Sequence, residues 1–75
     1  MTDKRPIHTV PHGDGWANRR EGNQRVTETF DTQREAQTAA RDIARRDGTE
    51  HLTHGQNGRI RERNSYGNDP YPPAG

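Results

Sequence analysis

Four histidines, a single serine and a run of arginines are the residues whose chemistry stands out in this chain. His8 and His12 are candidate metal ligands, since two imidazoles on one strand face can share an ion. Four residues of extended chain separate them by about 13 Å, too far for one ion. His51 and His54 differ in strand parity. A metal site would therefore need one histidine from each half of the chain, such as His12 with His54, plus a carboxylate such as Asp14. The expectation is that there is no metal site and no cofactor, and that these histidines hydrogen-bond backbone or water near turns. Ser65, the only serine, has no glycine elbow to activate it. The carboxylates have arginine neighbours at spacings suited to surface pairing, such as Asp42 with Arg46, or Glu62 between Arg61 and Arg63. No glycine-rich phosphate loop precedes a helix. No catalytic residue is expected, and the chain reads as a non-enzyme.

The arginines offer a different chemistry. Lys4 is the only lysine, and the other eleven basic residues are arginines. Guanidinium forks suit phosphate and carboxylate partners. On an extended segment Arg59, Arg61 and Arg63 alternate with Ile60 and Glu62, so all three are expected on one face, continued by Arg19 on a neighbouring strand. With Trp16, Tyr66 or Tyr71 available for stacking, this face has the ingredients of a phosphate-tracking surface. Against that reading, acidic residues number 11 and leave a formal net charge of only +1, whereas nucleic-acid modules usually carry a clear basic excess. The alternative is a solvated outer face.

The elements that would position these residues are marked by periodicity and turn chemistry. Ala36, Ala39, Ala40, Ile43 and Ala44 fall on one face of a 3.6-residue period and predict a helix over 33–47. Thr32 with Glu35 is a capping box, and Gly48 is placed as the C-terminal cap. A stripe made mostly of alanine lies close against something flat, most economically a small sheet on which Trp16 and Phe30 supply area. Asp14-Gly15 and Asn57-Gly58 are hairpin signals, and Gly22-Asn23 is a weaker one. Strands are thus expected at 7–12, 16–21, 24–30, 50–55 and 59–64, in the order βββαββ. Glu28 shares a strand face with Val26 and Phe30, a conflict that a bulge or an edge position would relieve.

Composition bounds the rest. Only 23% of the 75 residues are hydrophobic against 31% charged, so one small α+β domain is the limit, and pairing with a second copy would bury apolar surface that the chain alone cannot. Cysteine is absent, which removes disulfides and thiolate metal sites. No apolar run reaches signal-peptide or membrane-span length, and a cytoplasmic protein without a membrane partner is expected. Residues 1–6 are expected to be disordered, 7–64 to form the domain, and 65–75 to be a Pro- and Gly-rich tail in which Tyr66 or Tyr71 folds back onto the helix.

The strings His8-Thr9-Val10-Pro11-His12 with Gly15-Trp16-Ala17, Arg20-Glu21-Gly22-Asn23, Phe30-Asp31-Thr32-Gln33 with Glu35-Ala36, Gly48-Thr49-Glu50, and His54-Gly55 with Asn57-Gly58-Arg59-Ile60-Arg61 carry a resemblance. So does the ending Ser65-Tyr66-Gly67-Asn68-Asp69-Pro70 with Pro72-Pro73 and Gly75. Together they resemble the bacterial DUF2188 family of small uncharacterised proteins, in order along nearly the whole chain. The resemblance implies a compact α+β unit and no particular activity. Asn18, His51 and Thr53 depart from it, standing where apolar strand residues are expected. The functional expectation is a small interaction or assembly module that pairs with a protein partner or a second copy. Nucleic-acid binding through the arginine face is the alternative.

Overall fold

A computed structural model describes residues 4–23, 26 and 28–66. The elements are β1 (Ile7–His12), β2 (Gly15–Arg20), β3 (Glu28–Phe30), α1 (Gln33–Asp47), β4 (Glu50–His54) and β5 (Ile60–Ser65). This is the expected βββαββ order, with the helix at its expected bounds. The five strands form one sheet in the order β3-β2-β1-β4-β5. β1 and β4 run parallel at its centre, while the other three pairings are antiparallel. The long segment β2-β3-α1 is what lets the chain return beside β1 in the same direction, since parallel neighbours need a crossover.

Local chemistry sets both helix ends. The Thr32 hydroxyl accepts from the Glu35 backbone N–H at 3.2 Å, satisfying one of the unpaired amides of the first turn. At the other end Gly48 takes a left-handed conformation (φ 67°), and the Thr49 N–H returns to the Ala44 carbonyl at 2.9 Å, closing the helix in a Schellman turn. The first hairpin turns one residue earlier than expected. Gly13, at φ 57°, takes the positive φ, so that Gly13-Asp14 is the loop and Gly15 already pairs with His12.

β3 is shorter than expected, with Val26 outside the strand; residues 24, 25 and 27 lie outside the described residues. The Glu28 conflict is resolved by position. β3 is an edge strand in which Glu28 stays exposed while Phe30 pairs with Trp16. The residues expected in the tail from 67 on, Tyr71 among them, and residues 1–3 also lie outside the described residues.

The helix lies over β1, β2 and β4 and reaches β3. Ala36, Ala40 and Ala44 are its buried apolar stripe, with Ile7 and Trp16 beneath them. Ala39, Ile43 and Phe30 are only half-buried, because the stripe follows the i, i+4 row. Strand alternation sends Trp16, Asn18 and Arg20 to the helix and Ala17 and Arg19 to the opposite face.

Candidate binding surface

Beneath the helix, the polar residues that looked out of place in the sequence form one hydrogen-bonded chain. Asn18 donates its amide N–H to the Ala36 carbonyl at 2.9 Å. Its carbonyl oxygen accepts from the Thr9 hydroxyl at 2.7 Å. With that proton committed, Thr9 can only accept from His51, whose Nε2 lies 2.8 Å away. The chain thus runs from His51 through Thr9 and Asn18 to the helix backbone, crossing β4, β1 and β2. Thr9, Asn18, His51 and Thr53 are all essentially inaccessible to solvent. His51 Nδ1 is buried with no hydrogen-bond partner among the described residues. Burial, reinforced by the positive charge of Arg41 and by His8, pushes the His51 imidazole down to about 4, with Glu62 opposing.

A second polar contact fastens the end of the helix. The Arg20 guanidinium pairs with Asp47, both side chains being almost fully buried, and donates to the Arg5 carbonyl at 2.8 Å. Arg46 adds a 2.9 Å bond to the same carboxylate. Hydrogen bonds from Arg46 and Arg20 hold the Asp47 carboxyl down at about 2. A carboxylate is poorly placed at a helix C-terminus, and these two guanidiniums offset that.

The arginines do not form the expected row. A bulge between β4 and β5, where Thr53 pairs with Glu62 and His54 with Ile60, leaves Arg61 as the extra residue. Arg61 turns to Gln33 at the start of the helix, bonding at 3.2 Å. Arg63 pairs with Leu52 on the face away from the helix, and its guanidinium lies 3.8 Å from Glu50. Arg59 precedes the strand, in a loop closed by Gly55 donating to the Arg59 carbonyl at 2.7 Å. Arg19 is exposed across the sheet on β2. Trp16 is buried against the helix and presents no stacking face. Tyr66 does dock, with its ring 5.9 Å from the Arg45 guanidinium carbon and its backbone N–H donating to Thr49.

β5 has the opposite character. It is a sheet edge, paired with β4 on one side and with no neighbour on the other among the described residues. Every residue in it but Asn64 is exposed, and Ile60 keeps 53% of its surface in water.

On the face away from the helix, β1 and β4 bring together two histidines the sequence did not pair. His8 Nδ1 lies 2.8 Å from His54 Nε2. His8 Nε2 faces a Glu21 carboxylate oxygen at 3.0 Å, and His54 Nδ1 faces the Gly58 carbonyl at 3.2 Å. His8 and His54 have the same parity, but only the parallel β1–β4 pairing makes them neighbours, and no turn signal announces that pairing. Among the described residues no group of three or more His, Cys, Asp or Glu side chains gathers closely enough to hold a metal ion. No described helix is long and apolar enough to cross a membrane.

A family of uncharacterised proteins conserved in bacteria matches residues 7–66, from the first residue of β1 to the tyrosine that docks on the helix. The chain belongs to the DUF2188 family. It is also 39% identical over 56 residues to the uncharacterised protein YdaT of Bacillus subtilis, an alignment that covers 75% of this chain and 37% of YdaT. The chain thus spans little more than a third of that relative's length. No solved structure matches it. The family and this relative carry no enzymatic name.

Proposed function

We propose that this chain is a cytoplasmic, non-enzymatic assembly module whose β5 edge pairs with the β5 edge of a second copy. The observation that carries the reading is the exposed six-residue edge of β5, whose outward N–H and C=O groups are a template for another strand. The small core supports it, since Ile7, Trp16 and Leu52 are the only large apolar side chains in it among the described residues and an added strand extends the sheet.

Charge selects the register. An antiparallel pair with a two-fold axis normal to the sheet sets residues of equal parity opposite one another. A centre at Glu62 opposes two carboxylates, and one at Arg63 opposes two guanidiniums, which is unfavourable. A centre at Asn64 does neither and sets Arg63 across from Ser65. The nucleic-acid alternative is less well supported, because Arg61 and Arg63 are directed to Gln33 and Glu50 and Trp16 is covered.

Sedimentation equilibrium tests the reading. The expected result is a dimer that persists when salt is raised, and a monomer of unchanged circular dichroism for Asn64→Lys, which would bring two ammonium groups together at the axis. A wild-type chain that stays monomeric at about 1 mM, a concentration at which even an association of about 4 kcal/mol is half formed, overturns it. Retention on DNA or RNA that falls steeply with salt would then favour the nucleic-acid alternative.

A further inference from the structure

The His8–His54 contact lies apart from the β5 edge and raises a question of proton placement. A carbonyl oxygen and a carboxylate oxygen only accept hydrogen bonds, so the N–H of His54 belongs on Nδ1, toward Gly58, and that of His8 on Nε2, toward Glu21. A neutral imidazole carries one N–H. With both rings neutral, the inner nitrogens, His8 Nδ1 and His54 Nε2, are both bare lone pairs directed at each other across 2.8 Å. Two lone pairs at that distance repel unless a cation, either a proton or a metal ion, lies between them.

We propose that His8 and His54 form a two-imidazole site for a divalent first-row transition-metal ion of the zinc, nickel or copper type. Imidazole nitrogens suit these ions. The surroundings fit as well: metal-bound histidines characteristically donate their other ring N–H to a carboxylate or a backbone carbonyl, which fixes the ring and raises its basicity. Here one histidine has each kind of partner. Bonds of about 2.0–2.1 Å at a tetrahedral angle put two nitrogens roughly 3.3 Å apart, so the rings need separate by about half an ångström from their 2.8 Å contact. The His8 side chain keeps 15% of its surface and Glu21 59%, leaving the remaining coordination positions to water. The charged neighbours are Arg19, paired across from His8, and Arg63, across Leu52 from it. Both weaken cation binding, and Glu21 opposes them.

The test uses the untagged full chain, labelled with nitrogen-15, titrated with zinc sulfate near neutral pH. The expected result is one zinc per chain, with the His8 Nδ1 and His54 Nε2 resonances moving to metal-bound positions while those of His12 and His51 stay put. His8→Gln and His54→Gln should each abolish the response with circular dichroism unchanged, and Glu21→Gln should weaken binding about tenfold or more. Ring resonances of His8 and His54 that do not move at about 1 mM zinc, where even a site worth only about 4 kcal/mol is half filled, would mean that the gap holds only a proton and would overturn the proposal. So would a zinc response of equal strength in His54→Gln.

Discussion

The central strands under the helix and the β5 edge are built from similarly polar sequence and meet opposite fates. Thr9, Asn18, His51 and Thr53 are buried, whereas Arg61, Glu62, Arg63 and Ser65 remain exposed. The difference is the helix. Its alanine stripe brings the backbone close enough for Asn18 to bond the Ala36 carbonyl, and a buried polar group with its partners supplied costs little. β5 meets the helix only at its margin, through Arg61 with Gln33 and Glu62 with Gln37, so its side chains stay largely in water and one side of its backbone faces outward. Stability is thus concentrated in one half of the sheet, and the capacity to pair is left at one edge.

The largest expected effect tests that concentration. Ala40→Glu sets a carboxylate against the buried stripe, where burial of an unpaired charge is prohibitive, and should abolish folding by circular dichroism. A variant that melts as the wild type does would break the packing scheme. Arg20→Ala should come next, because it leaves Asp47 buried beside strand β2 with only Arg46 as partner. Its melting temperature should fall by roughly 10 °C or more.

Acid should weaken the same half in two stages. His51 has a folded pKa of about 4, below its ordinary 6.5. The unfolded chain therefore takes up the proton first, and stability is complete above pH 6.5 and lost as pH falls toward 4. The loss is up to about 3 kcal/mol across that window. Asp47, lowered from 3.8 to about 2, contributes stability above its unfolded value that disappears as pH falls from 3.8 through 2. Urea unfolding from pH 7 to 4 measures the first stage, and His51→Leu should flatten it. The smallest effect belongs to the edge. Arg63→Gln removes only the partly solvated approach to Glu50 and should change stability by less than about 0.5 kcal/mol. A larger loss would show that β5 contributes to the folded core.

Much of this division was legible in the sequence. The helix and its caps follow from alanine spacing, Thr32, Glu35 and Gly48, all of them local signals. The family resemblance and the strand order along the chain were legible as well. What was not legible depends on pairing at long range. Asn18, His51 and Thr53 look like faults in an apolar pattern until β1, β2 and β4 are set side by side, when Thr9 links Asn18 to His51 and Thr53 lies beside the His51 ring. The arginine row failed for a related reason, since strict alternation assumes a regular strand and the bulge at Arg61 interrupts it. By type and position Trp16 suits both the core and a stacking surface, and only the first holds. The His8–His54–Glu21 contact was invisible because parity cannot reveal which strands are neighbours.

Amide hydrogen exchange of the full chain at dilute and millimolar concentration tests the central claim most directly, because it reads both halves of the sheet at once. The account predicts that backbone amides of β1 and β4 are protected at every concentration. Those β5 amides directed away from β4 should exchange freely when dilute and gain protection when concentrated. β5 protection that is the same at both concentrations would contradict it.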